Sequence, residues 1–276
     1  MMIMDKSTLL QNKPYPGSLT VVGTGIKAGQ ITPDALSCIE CADKVLFIVT
    51  DIITSLWIQK INATAEDLAV FYQPTDDRQI VYLKMVERIL SCVRKGLSVC
   101  VVAYGHPGVF AFPLHESIRR ARLEGFKARM LPGVSSEDCL FADLNIDPGS
   151  RGCQSFEATD FLVYRRKFDP TSSLILWQIA IIGDLGYNPP WRENCARLGL
   201  DALVEYLQQF YDASHTTIIY QASQYPFCDP IIQRVPLGRL PEAHVTPIST
   251  LYVPPKAQAT PCREMLTRLS IPFPPR

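Results

Sequence analysis

The sequence predicts a two-domain α/β protein, with a mostly parallel N-terminal sheet covered by helices on both faces and a second, mixed and more antiparallel α/β domain. Three observations carry this. Apolar strand-like runs alternate with helical patterns from Ser18 to Leu131, and that alternation builds parallel sheets whose ligand crevice lies beyond the carboxyl ends of the strands. After Pro132-Gly133 the texture changes, and strand-like runs follow one another with few helices between. The chain is also large enough for two cores, with 276 residues and 47% hydrophobic content.

Residues 1–16 read as an N-terminal extension. The run from Ser18 to Val22 is a strand ending in Gly23-Thr24-Gly25, after which Thr32-Pro33 supplies an N-cap and a first-turn proline for a helix reaching Ala42. A strand from Lys44 to Val49 follows. A long helical pattern from Asp76 to Lys95 stops at Gly96; next come a strand, Val99 to Ala103, a helix near Pro113 to Leu123 ending at Gly125, and a short strand, Lys127 to Leu131. The first domain on this reading is 17–132. The second, 133–255, holds strands from Ser155 to Val163, Ser173 to Ile179, Thr216 to Ala222 and Ser249 to Val253. A proline-rich tail, 256–276, has room for one short helix.

Composition narrows the function. Basic and acidic residues balance at 27 each, so no global field draws the chain to nucleic acid or an anionic membrane, and Arg119-Arg120 and Arg165-Arg166-Lys167 read as solvated faces. No apolar run approaches the roughly 20 residues of a membrane span, and residues 1–17 lack a signal-peptide pattern, so a cytoplasmic location is expected. Nine cysteines are an odd number without framework spacing and suit reduced, packed thiols. Cys38-Ile39-Glu40-Cys41 has redox-motif spacing but lies in a helical pattern without a second pair, and no metal is expected.

Gly23-Thr24-Gly25 with Gly29 is one residue longer than the dinucleotide fingerprint, and no acid ends the next strand at the ribose-binding distance, which argues against a nicotinamide cofactor. The turn either serves the chain reversal alone or lines a ligand cleft. The loop Tyr104-Gly105-His106-Pro107-Gly108-Val109-Phe110 carries more than a simple connection needs: glycines that admit close backbone approach, a stiffening proline, and polar Tyr104 and His106 at a strand's carboxyl end. With Leu131-Pro132-Gly133-Val134-Ser135-Ser136, a second glycine turn opening a helix, it reads as a binding site. The third group is Tyr72, Arg78 and Tyr82. If Thr75 caps the helix, Arg78 lies in a first turn where the helix dipole disfavours a cation. Arg78 and Tyr82 are four apart, on a face that continues through Met85 and Ile89, so both point toward a partly buried space. Taken alone, the group also fits an arginine in an ion pair and a tyrosine snorkelling from the core.

Together Val22-Gly23-Thr24-Gly25, the Tyr104 to Phe110 loop, Leu131 to Ser135 followed by Glu137-Asp138-Cys139, and Ser249-Thr250-Leu251-Tyr252-Val253-Pro254-Pro255 resemble the borosin peptide backbone N-methyltransferases. These belong to the tetrapyrrole methylase-like class of S-adenosylmethionine enzymes. The resemblance covers roughly Gly17 to Lys256. It implies that S-adenosyl-L-methionine is contacted by Tyr104, His106, Val109, Phe110, Ser135, Gln178, Ala222, Ser249 and Thr250. It implies catalytic roles for Arg78, Tyr82 and Tyr104, with Tyr72 beside them, and a homodimer. Where fungal members carry a further tyrosine just before this group, this chain has Ala69 and Val70. The sequence ends in a proline-rich tail without a repeated apolar core, which resembles the split form and implies a separate precursor peptide as substrate.

The residue chemistry fits that reaction. A backbone amide nitrogen is a poor nucleophile because its lone pair is delocalised into the carbonyl. It needs donors for the charge growing on oxygen, a role for Arg78 and Tyr82, and a base for the N–H proton, for which Tyr72 and Tyr104 both remain open. Two rivals are carried forward. One is a tetrapyrrole or small-molecule methyltransferase of the same fold, disfavoured by the few basic residues near these motifs. The other is a non-catalytic binding module, disfavoured by the intact Tyr72, Arg78, Tyr82 and Tyr104.

Overall fold

A computed structural model describes residues 17–27, 29–72, 78–184 and 193–273. The chain divides into two compact units, one running up to Asn145 with a returning segment Ala222–Ile231, the other built from Ile146–Gly183, Arg192–Gln221 and Ile232 onward.

The first unit contains β1 (Ser18–Gly23), α1 (Pro33–Cys41), β2 (Lys44–Ile48), α2 (Ile52–Ile61), β3 (Glu66–Asp67), α3 (Arg78–Arg94), β4 (Ser98–Ala103), α4 (Phe112–Leu123), β5 (Lys127–Met130) and α5 (Ser136–Leu144). Its strands lie in the order β3-β2-β4-β1-β5, and the pairings of β1 with β4 and β5, and of β2 with β3 and β4, are all parallel. Both faces are buried, as the strand alternation requires. On one face Leu19, Val21, Val99 and Val101 pack against Val81, Met85 and Ile89 of α3 and Leu114 and Ile118 of α4. On the other, Val22, Val45, Phe47, Cys100 and Val102 pack against Ala35 and Ile39 of α1 and Ile58 of α2.

Local chemistry sets the helix ends. Thr32 caps α1, accepting from the Ala35 amide at 3.2 Å with Pro33 in the first turn, and Asp51 caps α2 through the Thr54 amide at 2.8 Å. α3 stops at Gly96, whose φ of +79° suits the left-handed residue after a helix. The expected cap Thr75 lies outside the described residues.

The second unit contains α6 (Pro148–Arg151), β6 (Cys153–Glu157), α7 (Ala158–Val163), β7 (Ser173–Trp177), α8 (Glu193–Leu207), β8 (Thr216–Gln221), β9 (Ile231–Pro236), β10 (Thr250–Val253) and α9 (Arg263–Arg268). Its order is β6-β7-β10-β8-β9. β6 pairs parallel with β7, and β10 runs antiparallel to both β7 and β8, so this sheet is mixed, as the sequence predicts.

Two details differ from expectation. The run from Ser155 to Val163 is not one strand, because Glu157 turns it into α7 by accepting from the Thr159 and Asp160 amides at 2.9 and 2.7 Å. The helix then buries Phe161 completely, among Phe156, Phe168 and Tyr206. The second unit also holds the long helix α8, which buries Leu200, Leu203, Val204 and Leu207 at helical spacing.

Candidate active site

The site begins with three glycines at the carboxyl ends of β1, β4 and β5. A Cβ on Gly23 would lie 2.2 Å from the Gly105 carbonyl oxygen and 2.8 Å from Pro107 Cδ; one on Gly133 would lie 2.7 Å from the same oxygen. Backbone packs on backbone here, which only glycine permits. Gly25 and Gly105 form an antiparallel bridge, with N–H to O distances of 3.0 and 3.4 Å. The Tyr104 amide donates to the Ile48 carbonyl at 3.1 Å and the Thr24 amide to the Ala103 carbonyl at 2.9 Å. Tyr104 is thus held by the strands on both sides, which explains why the loop after β4 needs two glycines and a proline.

Beyond Tyr104 the loop folds on itself. His106 Nδ1 accepts from the Gly108 amide at 3.0 Å, the His106 carbonyl accepts from Val109, and His115 Nε2 donates to the Gly108 carbonyl at 2.9 Å. Val109 and Phe110 are left exposed, and Phe110 has a φ of +50°. A non-glycine residue there is strained, and strain of this kind clusters at ligand sites. Gln178 shares the feature, with φ +58° directly after β7 in the second unit.

The Tyr104 phenol is half-buried. Burial pushes its pKa up from the ordinary value, opposed by the Gln224 side-chain amide, 3.5 Å from the hydroxyl, while Cys139 and Asp51 add to the rise. The structure therefore favours the protonated phenol. Tyr82 lies one turn after Arg78, the first residue of α3, and its ring meets Tyr72 edge-on at 6.5 Å and Phe112 at 6.1 Å. Phe112 opens α4 just past the Tyr104 loop, so these contacts bring Tyr72 and Tyr82 to the loop's far end. Arg78 and Tyr82 are partly buried, and Met85 and Ile89 below them are fully buried, as the helical face predicts.

The remaining expected cofactor contacts divide between the units. Ser135 caps α5 in a capping box with Asp138, each residue's side chain accepting from the other's backbone amide, which commits much of the hydroxyl to the helix. Ala222 is half-buried in the first unit. In the second, the Ile179 amide donates to the Ser249 carbonyl at 3.3 Å, so Gln178 and Ser249 stand together, with Thr250 opening β10. The Ser249 hydroxyl is buried and accepts from Gln221 Nε2 at 2.7 Å and the Thr246 amide at 2.8 Å.

Some participants carry no motif. Gln30 Oε1 accepts from the Ile26 and Lys27 amides at 2.7 and 3.0 Å, and its amide reaches Cys139, fastening the loop after β1. A cavity of about 290 Å³ lies among Thr24, Ile26, Ile31, Ile53, Trp57 and Tyr104. A larger hollow of about 620 Å³, near Cys38, Ser98 and Arg129, sits at the amino ends of the strands, away from this chemistry. Among the described residues, no three His, Cys, Asp or Glu side chains gather as metal ligands, and no helix is long and apolar enough to cross a membrane.

Comparison with known proteins supplies the context. The tetrapyrrole (corrin/porphyrin) methylase family matches residues 18–224. The chain is 44% identical to the methyltransferase/dendrothelin A precursor of Dendrothele bispora over 92% of its own length and 61% of the relative's. It is 42% identical to the methyltransferase/omphalotin A precursor of Omphalotus olearius, over 92% and 62%. With a methyltransferase/type I borosin precursor of Coprinopsis marcescibilis it shares 40%, over 94% and 68%. The chain thus spans about three-fifths of the first two. Among solved structures, uroporphyrin-III-C-methyltransferase from Thermus thermophilus matches with a TM-score of 0.61 at 18% identity, over 94% of this chain and 98% of that one. A diphthine synthase matches at 0.58 and 16%, over 87% and 91%; both show the fold alone.

Proposed function

The chain belongs to the tetrapyrrole methylase family and, within it, to the borosin methyltransferases, and from that premise we propose that it transfers the methyl group of S-adenosyl-L-methionine to backbone amide nitrogens of a peptide. The observation that carries the reading is Tyr104, pinned between the ends of β1 and β2, with Tyr72 and Tyr82 reaching the far end of its loop through Phe112 and Arg78 one turn before Tyr82. The residues suit the cofactor: exposed Val109 and Phe110 on a strained loop offer an apolar bed. His106, Ser135 and Ala222 in the first unit, and Gln178, Ser249 and Thr250 in the second, are the other positions that the family resemblance assigns to the cofactor.

When bound, the cofactor supplies an electrophilic methyl on its sulfonium. The rest falls to this chain. Arg78 and Tyr82 hold the charge that grows on the acceptor carbonyl oxygen, Tyr104 donates its hydroxyl hydrogen to the same oxygen, and the amide proton leaves toward Tyr72 or water. The 18% likeness to a uroporphyrin methyltransferase supports no tetrapyrrole substrate.

We also propose that the acceptor is presented to these 276 residues as a separate peptide, whereas the named relatives carry precursor and enzyme in one chain. Within residues 254–273 few amides are open to methylation, since prolines have no N–H and the amides of Leu266, Leu269, Ser270 and Ile271 already donate to the carbonyls of Cys262, Met265, Thr267 and Leu266. A cytoplasmic homodimer completes the proposal. The described cysteines are all free thiols, which suits a reducing compartment, and exposed Leu123, Val163 and Leu198 leave apolar surface for a second copy. Incubating the purified chain with S-adenosylmethionine and candidate precursor peptides tests the reaction. Intact mass should rise by whole methyl increments, tandem spectra should place them on backbone nitrogens of the added peptide, and light scattering should report a dimer. Methyls on side chains, or on residues 256–276 of the enzyme, would refute the corresponding part.

A further inference from the structure

We infer that the cavity behind Tyr104 is a subsite for one uncharged, apolar side chain of the acceptor peptide, next to the amide being methylated. The inference rests on the peptide-methylation reading above. The lining of the cavity differs from the expected cofactor contacts. His106, Val109, Phe110 and Ser135 follow β4 and β5, whereas the cavity is walled by Ile26 and Ile31 after β1 and by Ile53 and Trp57 on α2, and the two sets share only Tyr104.

The walls state what fits. Ile53 and Trp57 are four apart, hence neighbours on one helical face, and remain 58% and 36% exposed although α2 already buries Ile58 on its other side. Helices that serve only a core have one apolar face. This one has two, and the second borders a cavity. Of the polar groups that line it, the Thr24 hydroxyl is turned to the carbonyls of Gly25 and Ala103, at 3.0 and 3.3 Å, leaving Thr54, Lys27 and the Tyr104 hydroxyl. A volume of about 290 Å³ corresponds to roughly ten waters at about 30 Å³ each, room for a branched aliphatic or aromatic side chain. The floor is Gly25, at φ +75°, where a Cβ would lie 2.4 Å from Gln30 Cβ. Any larger residue there would disturb the floor.

The test uses the full chain, S-adenosylhomocysteine, and short capped peptides with Val, Phe, Gly or Asp at the position under test. Trp57 is itself a reporter. Val and Phe peptides should shift tryptophan emission of the wild type to the blue, W57F should lose that shift, and Asp and Gly peptides should give none. In turnover, I53D and W57A should raise the KM for the Val peptide at least tenfold, with S-adenosylhomocysteine affinity near wild type. An unchanged KM in both variants, or an emission shift that survives in W57F, overturns the subsite. Loss of S-adenosylhomocysteine binding in both at unchanged melting temperature would overturn it too, by giving the cavity to the cofactor. The readouts separate this inference from the reaction it rests on: a Trp57-dependent shift without methylation upholds the subsite and sinks the peptide reaction. Methylation without the shift does the reverse.

Discussion

Gly23→Ala is the sharpest perturbation the site offers. Its new Cβ would sit 2.2 Å from the Gly105 carbonyl oxygen, and ordinary contact begins at 3.4 Å, so the ends of β1 and β4 must part by about 1.2 Å. Forcing a methyl into packed backbone costs typically about 1–3 kcal/mol. At about 2–4 °C per kcal/mol for a chain of this size, the melting temperature should fall by several degrees. The larger effect is on rate, because Gly105 follows Tyr104 directly and a 1 Å misplacement of a reacting group costs about a hundredfold. Gly96→Ala is the control. It also puts a side chain at positive φ, but nothing lies within 4 Å of the added Cβ, so it should lose about 1–2 kcal/mol to backbone strain alone and keep its turnover. Methyl transfer measured on the same peptide, beside thermal unfolding, separates the two. A Gly23→Ala enzyme that turns over within threefold of Gly96→Ala would refute the claim that this backbone contact positions Tyr104.

Arg78→Ala should keep its affinity for S-adenosylhomocysteine in calorimetry while kcat falls at least about a hundredfold, as expected for a contact made mainly in the transition state; parallel losses in both would make Arg78 structural. Phe110→Gly should relieve roughly 1 kcal/mol of left-handed strain and hold or raise the melting temperature while weakening S-adenosylhomocysteine, and undiminished affinity would remove Phe110 from the site. Glu66 is held to a pKa of about 2, from an ordinary 4.5, by its hydrogen bonds to Arg88 and then Lys44, against the opposing effect of burial. The folded pKa is the lower one, so this stabilisation is complete above about pH 4.5 and is lost as pH falls toward 2. Glu66→Gln should cost about 1 kcal/mol near neutrality, after allowance for solvent screening of a pair about one-third exposed, and its stability should vary less over that acid range. Matching melting temperatures for the two proteins at pH 7 would contradict it.

Much of the first unit was legible because its signals are local. Thr32-Pro33 caps a helix wherever it sits, and the uninterrupted run Val99 to Ala103 has the composition of a buried parallel strand. The second unit misleads at Ser155 to Val163, where the apolar residues suit a strand and the decisive residue is Glu157, a poor cap by type that caps two amides here. The helix α8 carries its own signal in Leu200, Leu203, Val204 and Leu207, but strand-like runs on both sides of it mask the helical spacing. Sequence also marks Gly23, Gly105 and Gly133 as turn residues without revealing that they touch one another, since the contact joins three strands distant along the chain. The cavity was hidden for the same reason: Ile26, Ile31, Ile53 and Trp57 come from separate segments, and none belongs to a motif.

Tyr104 is where sequence and structure pull in different directions, and the difference bears on the chemistry. Read from charges alone, a nearby guanidinium and a cationic cofactor favour phenolate and make this tyrosine a candidate base. In the folded chain burial is the largest influence on its pKa and acts the other way, the Gln224 amide being too distant, at 3.5 Å, to reverse it. A phenol kept protonated has a hydrogen to give, which fits a donor to the developing oxyanion and leaves the amide proton to another group. The backbone around it fits the same role. Donors of this kind work by being fixed in place before charge develops, so that no reorganisation is spent at the moment of reaction. That requirement is met by strand ends in glycine contact and by backbone hydrogen bonds to the ends of β1 and β2, so on the proposed reading the rigidity of the loop and a raised tyrosine pKa act together.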